Sequence, residues 1–226
     1  CNEFDQKPNA SGKIKPKYES SNATRLYGLR ANLINAGQAA GQKNNQTVAL
    51  KYFGMYVESA VNPLFKSIDR TKTPDQYLGE VARVASVYAF QSKQMDLANK
   101  YVDVAMKDTA VYKDALNLKM YLMQQNLKSK ADSLQYVETL KGLYAKDSKN
   151  DQIFATIVNM YGSLKMTAEQ DKVIADKLAA EPDNSIAWAL KGQNFMNASK
   201  SEQAVDCFKK AIVKDDKNVV VLTYLG

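Results

Sequence analysis

No histidine occurs anywhere in the 226-residue sequence. That absence removes imidazole acid–base catalysis, Ser-His-Asp and Cys-His nucleophile systems, and most zinc sites. Cysteine is nearly absent as well. Cys1 and Cys207 form no disulfide framework, and Cys207 beside Phe208 reads as a small hydrophobe in a packed helix. Proline (5) and glycine (10) are scarce for this length, which disfavours a turn-rich all-β fold. No apolar run reaches the ~18 residues of a membrane-spanning helix. Neither GxGxxG nor GxxxxGK[ST] is present, nor an EF-hand loop. The neighbouring carboxylates Asp215 and Asp216 fall in an expected turn, where solvation accounts for them. No cofactor, no metal site and no enzymatic activity are therefore expected.

With 45% hydrophobic residues the chain can bury a substantial core. The net charge of +7 is uneven: residues 1–100 hold 14 Lys and Arg against 8 Asp and Glu, and the remainder holds 17 against 16. A basic end can favour an acidic or phosphate-bearing partner. The lysines are scattered, however, and no Arg-rich helix interleaves with aromatics. A solvated surface is the expectation, with no specific nucleic-acid partner.

The organising feature is a repeat. Phe154 and Trp188 are 34 positions apart, as are Tyr161 and Phe195, and Asp151 and Ser185. Such a period, with apolar marks at helical spacing, is the mark of stacked helix pairs. From Ser185, the marks Trp188, Gly192 and Phe195 share one helix face. Ser199-x-x-Glu202 reads as a capping box that opens a second helix, in which Ala204, Phe208 and Ala211 share a face. Small alanines let two helix axes approach, and the aromatic fills the space between them.

This unit resembles the tetratricopeptide repeat, matching six of its eight marks and departing at Lys191 and Asp216. The unit from Asp151 keeps Phe154, Ile157, Tyr161 and Pro182, with Thr167-x-x-Gln170 as its capping box. It puts Gln170, Ile174 and Lys177 where the family has Ala, Phe and Ala. The resemblance implies an all-α fold, a right-handed α-α superhelix (solenoid) of tetratricopeptide-like helix pairs.

Along the chain, residues 1–22 read as a polar linker, 23–218 as a helical repeat domain of about five pairs, and 219–226 as the start of a further, truncated repeat. A single helix is expected over 23–42. A second is expected over 47–66, with Ala49, Phe53 and Tyr56 on its packed face and Pro63 kinking or ending it. Thr73-Pro74-Asp75-Gln76 reads as a capped helix start, running to about Ser92. The next unit begins near Lys113, and its second helix covers 130–145. Cys1 is either the lipid-bearing first residue of a processed bacterial lipoprotein or the place where a fragment begins; the interrupted repeat at the other end fits the second reading better.

In the family, exposed first-helix positions line a concave groove. Carried over residue by residue, the resemblance implies a ligand groove with Arg83, Asn117, Tyr121, Gln124, Asn159, Gln193 and Asn197 among its lining residues. Amides suit an extended backbone, since each both donates and accepts. The expected function is a non-catalytic scaffold binding a peptide or protein segment in that groove. Two alternatives stand beside it. One is an envelope lipoprotein binding glycan or cell-wall material through Tyr121, Tyr161 and Trp188. The other is a homo-oligomer assembled through exposed solenoid ends. Asp108-Thr109-Ala110 and Asp132-Ser133-Leu134 resemble the short O-glycosylation motif of Bacteroidetes envelope proteins, so a bacterial periplasm or envelope is favoured over the cytoplasm.

Overall fold

The structure, a computed structural model, describes residues 7–14 and 18–213. Cys1, Asp215, Asp216 and the partial repeat at 219–226 lie outside the described residues. Every regular element among the described residues is helical, and none of these helices is long and apolar enough to cross a membrane.

The chain divides into two compact units, Cys1–Gln125 and Asn126–Gly226. The first holds α1 (Glu19–Leu29), α2 (Ala31–Gln42), α3 (Gln46–Ser59), a 3-10 helix (Pro63–Ser67), α4 (Leu78–Gln91), α5 (Met95–Ala105) and α6 (Tyr112–Gln124). The second holds α7 (Lys130–Tyr144), α8 (Asp151–Ser163), α9 (Thr167–Ala180), α10 (Ser185–Asn197) and α11 (Ser201–Ile212). Antiparallel hairpins form from α2 and α3, α4 and α5, α8 and α9, and α10 and α11. Within the first unit α3 packs on α4 and α5 on α6; within the second, α7 packs on α8 and α9 on α10. Each unit is thus a stack of helix hairpins. None could bury its apolar face alone.

The core follows the expected face. Ala49, Phe53 and Tyr56 of α3 are buried, as are Ala204, Phe208 and Ala211 of α11. Large and small side chains alternate across each pair. A Cβ on Gly37 would lie 2.7 Å from the Phe53 ring, and one on Gly192 would lie 2.6 Å from the Phe208 ring. Glycine is required at both places because an aromatic ring rests directly on the helix backbone.

One turn recurs inside the hairpins. Asn44, Lys93, Lys165 and Ser199 all have φ between 56° and 59°, and they are the non-glycine residues with positive φ among the described residues. At each, the next amide reaches back five residues: Asn45 to Ala40, Gln94 to Ala89, Met166 to Tyr161 and Lys200 to Phe195, at 2.8–2.9 Å. This is the Schellman closure of a helix C-terminus, in which glycine is the usual left-handed residue. The turn corrects both expected capping boxes. Ser199 occupies the left-handed position and Lys200 is the N-cap of α11, while Met166 caps α9 and Thr167 is already helical; neither cap makes a side-chain bond. Gln170 instead donates to the Val158 carbonyl, 3.2 Å away across the hairpin. Because an L side chain in this conformation costs about 1–2 kcal/mol, Lys165→Gly should raise stability by about 0.5–1 kcal/mol after the added unfolded-state entropy is counted. Urea denaturation checks it, and a lower midpoint would contradict it.

Two further expectations are corrected. The helix expected over 23–42 is interrupted at Arg30, where α1 gives way to α2. The helix expected to start at Thr73 begins instead at Leu78, with Tyr77 as N-cap and no side-chain cap. Arg30, at the first departure, and Asp75, at the second, are in contact with each other (below). The helix expected over 47–66 ends at Ser59, and Pro63 opens the 3-10 helix under an Asn62 cap.

Lys177 stands where the repeat has alanine, yet it is only 4% exposed. Its Nζ donates to Glu181 at 2.9 Å, to the Ser148 carbonyl at 3.2 Å and lies 3.1 Å from Asp151. Ring centroids of Tyr144 and Phe154 lie within 6 Å. Burial pushes the ammonium pKa down; hydrogen bonds to Glu181, Asp151 and Tyr144, with the Asp151 charge, outweigh it and leave the value raised.

Candidate functional site

In the first unit the first-helix face is carried by α2, α4 and α6. On α4, Arg83, Val87 and Gln91 recur at intervals of four, and so lie on one face. They line a hollow of about 410 Å³ together with Gly41, Asn44 and Gln46 from the end of α2 and the turn after it. Arg83 is bidentate to Glu80, at 2.8 and 2.6 Å. That bond, with the negative charges of Glu80 and Asp114, raises the guanidinium pKa against the opposing effect of burial. Asp114 of α6 is therefore within electrostatic reach of α4.

The same two helices meet further along. Phe90 of α4 and Tyr121 of α6 pack edge to face, with centroids 5.4 Å apart, and Tyr121 keeps 47% of its surface exposed. One turn earlier on α6, the Asn117 Oδ1 is buried with no hydrogen-bond partner among the described residues. Gln124 is exposed one turn later. Of the expected groove residues, the structure thus gathers Arg83, Asn117, Tyr121 and Gln124 on adjoining helices of one unit.

Asn159, Gln193 and Asn197 belong to the second unit, where all three are exposed. None lines the hollow of about 340 Å³ between α9 and α10, whose walls include Asp171, Ile174, Lys191, Asn194 and Phe195. Tyr161 is buried, so its ring is closed to a sugar. Trp188 donates its indole N–H to the Pro182 carbonyl at 2.7 Å, and Lys210 and Lys191 lie 4.3 and 5.3 Å from its ring centroid. It packs against the Phe208 core.

Sequence reasoning missed a cluster in the first unit. Arg30, 5% exposed, donates from Nη1 to Asp75 at 2.7 Å, from Nε to the Ser59 hydroxyl at 2.7 Å and from Nη2 to the Tyr56 carbonyl at 3.0 Å. Its guanidinium lies 4.3 Å from the Tyr56 ring centroid and 5.0 Å from that of Tyr27. The Tyr56 hydroxyl donates to the other Asp75 oxygen at 2.5 Å. Arg70 stacks on the far side of the cluster, 4.5 Å from the Tyr27 ring centroid, and donates to the Tyr27 hydroxyl and the Ala60 carbonyl. The sequence held one signal. Asn44 and Lys93, which open equivalent turns, are 49 positions apart, against 34 for Lys165 and Ser199. The extra length falls between α3 and α4 and carries Arg70 and Asp75.

No family model matches the sequence, and no curated protein matches it. Among solved structures, TTC0263, a thermophilic TPR protein of Thermus thermophilus, is similar at a TM-score of 0.45 and 13% identity, over 86% of this chain and 96% of that one. YrrB, a TPR protein with an unusual peptide-binding site, is similar at 0.46 and 13%, over 84% and 89%. MamA reaches 0.50 at 12% identity, over 84% of this chain and 94% of MamA. This is the tetratricopeptide-repeat fold. Within it, Ser86 takes in α4 the place that Gly37 takes in α2 and Gly192 in α10. Ser86 turns its hydroxyl to the Ala98 carbonyl at 2.8 Å, a bond across the tetratricopeptide hairpin that a glycine could not make.

Proposed function

We propose that this chain is a non-catalytic protein-interaction scaffold whose first-helix face receives an extended segment of a partner protein. One observation carries the reading: Tyr121, propped edge to face by Phe90, keeps 47% of its surface exposed on the first-helix face. A ring held in this way is an anchor of the kind that dominates interface energies. Arg83, with Val87 and Gln91, extends the face along α4, and Gln124 extends it along α6. Asn159, Gln193 and Asn197 play the corresponding part on α8 and α10.

The test separates binding from folding. Random-sequence peptides displayed on phage are selected on the intact chain and their affinities then measured on a variant. Tyr121→Ala should weaken the selected peptides by about thirtyfold, the effect of an aromatic hot spot of about 2 kcal/mol. Because nearly half of the Tyr121 surface is exposed, Tyr121→Ala should leave the melting temperature close to the parent's. Selected peptides that bind the variant as tightly as the parent would overturn the assignment of this face.

A further inference from the structure

A second hollow in the first unit lies away from the one on the first-helix face. It has a volume of about 630 Å³, within the range typical of small-molecule sites. Its apolar walls are Val57 and Val61 at the end of α3, Pro74 before α4, Leu78 at the start of α4 and Val104 near the end of α5. Four charged residues also border it: Arg70, Asp75, Lys107 and Asp108. It shares no lining residue with the hollow around Arg83 and Val87.

The signs of those charges are equal in number but not in availability. Asp75 is 8% exposed, with one oxygen occupied by the Tyr56 hydroxyl and the other by Arg30. Asp108 accepts the Ala110 amide at 2.9 Å and otherwise rests against Gly79 at the start of α4. Asp75 is therefore committed to the protein, and Asp108 has one oxygen bonded and lies against the N-terminus of α4, where the helix dipole offsets its charge. The cations keep donors to spare. The Lys107 ammonium is exposed and has no hydrogen bond or ion pair among the described residues. Arg70 uses Nη1 and Nη2 on Tyr27 and Ala60, stands 3.9 Å from Asp75, and leaves its Nε–H unused among the described residues. The Tyr27 ring and the Ala60 carbonyl hold it in place, so little side-chain freedom remains to be lost on binding.

A wholly apolar guest would strip water from these cations without compensation, which is costly. A cationic guest would be set against the unpaired Lys107 ammonium. We propose that this cavity binds a small amphipathic anion, its apolar body against Val57, Val61, Leu78 and Val104 and its carboxylate taken by Arg70 and Lys107. The site belongs to the inserted stretch between α3 and α4, so it is peculiar to one place in the repeat array.

Decanoate is the probe, titrated calorimetrically below its micelle concentration against the intact chain, with decyltrimethylammonium as the cationic control of equal chain length. Decanoate should saturate a single site. Lys107→Glu and Val61→Glu should each weaken it by about tenfold or more, since each sets a like charge beside the carboxylate. Both residues are exposed, so melting curves should match the parent's; Lys107→Ala provides a milder variant that should weaken decanoate less. Decanoate should leave a peptide bound at Tyr121 in place, which separates this site from the first-helix face. Absence of saturable decanoate binding, equal affinity in Lys107→Glu and Val61→Glu, or equal binding of the cationic control would each overturn the proposal.

Discussion

Phe53→Ala should destabilise the first unit by about 3–5 kcal/mol, the range for deleting a buried aromatic that its surroundings cannot replace. Phe53 is 4% exposed; its ring rests on the α2 backbone at Gly37 and stacks on Tyr88 of α4, with centroids 5.7 Å apart. It therefore joins its own hairpin to the next. The cavity left behind would be bounded by helix backbone at Gly37, which cannot collapse inward as a side chain can. The converse change is informative as well. Gly37→Ala drives a methyl into the Phe53 ring and should cost about 1–3 kcal/mol by overpacking. In the double variant Gly37→Ala, Phe53→Leu, the smaller side chain makes room for the methyl, so the combined loss should fall short of the sum of the single losses. Urea unfolding followed by far-UV circular dichroism reads all of these. Additive losses would show that the ring does not bear on Gly37.

The second large effect is expected at Arg30. Arg30→Met removes the cation from a carboxylate that is 8% exposed, and breaking a buried pair from one side costs about 3–5 kcal/mol. Arg70, at 3.9 Å, is too distant to replace it. Adding Asp75→Asn should recover most of the loss, because no buried charge is then left unpaired. A double variant no more stable than Arg30→Met alone would mean that the guanidinium acts by packing on Tyr27 and Tyr56 rather than by pairing. The same cluster sets an alkaline limit. Burial first, then the hydrogen bond to Asp75, raise the Tyr56 phenol well above its ordinary value of 10.0. Tyr101, buried and near Glu58, is pushed up to about 12. Both stay protonated in the fold while the unfolded chain ionises near pH 10, so the folded state holds more protons there. Stability is thus complete below pH 10 and should drain away as the pH rises through the raised values.

The parts legible in the sequence are those fixed by local spacing. The unit from Ser185 showed Gly192 and Phe208 in register, and the structure seats one on the other. The helix starts were legible too, but through a different signal from the one first read. Asn150 and Asn184, themselves 34 positions apart, cap α8 and α10 by accepting the amides of Ile153 and Ala187. The Ser-x-x-Glu and Thr-x-x-Gln patterns belong to α11 and α9, where the left-handed turn sets Ser199 and Thr167 off the cap position. Lys177 was legible as a departure from alanine but not as a buried cation, because its partners are the loop residue Ser148, Asp151 at the start of α8 and Glu181 at the end of its own helix.

The candidate face shows the same division. Arg83 and Tyr121 came from the family's exposed positions carried over residue by residue; Arg83 lines a hollow with Val87 and Gln91, and Tyr121 is half exposed. Nothing local joins Arg30 to Asp75 across 45 positions, and the stretch between α3 and α4 has no period from which to read a cavity. Long-range pairs of this kind become visible only when the chain is closed.

The recurrent left-handed turn has a bearing on how the chain tolerates added length. Inside a hairpin, two consecutive amides are tied to carbonyls three and five residues back, so one extra residue would pull both free and slip the second helix out of step with the first. Between hairpins no such lock recurs, and one connection already carries a surplus stretch complete with its own 3-10 helix. Guest segments, whether acquired in evolution or grafted by design, belong at the seams between neighbouring hairpins; the bends within them are closed to such traffic.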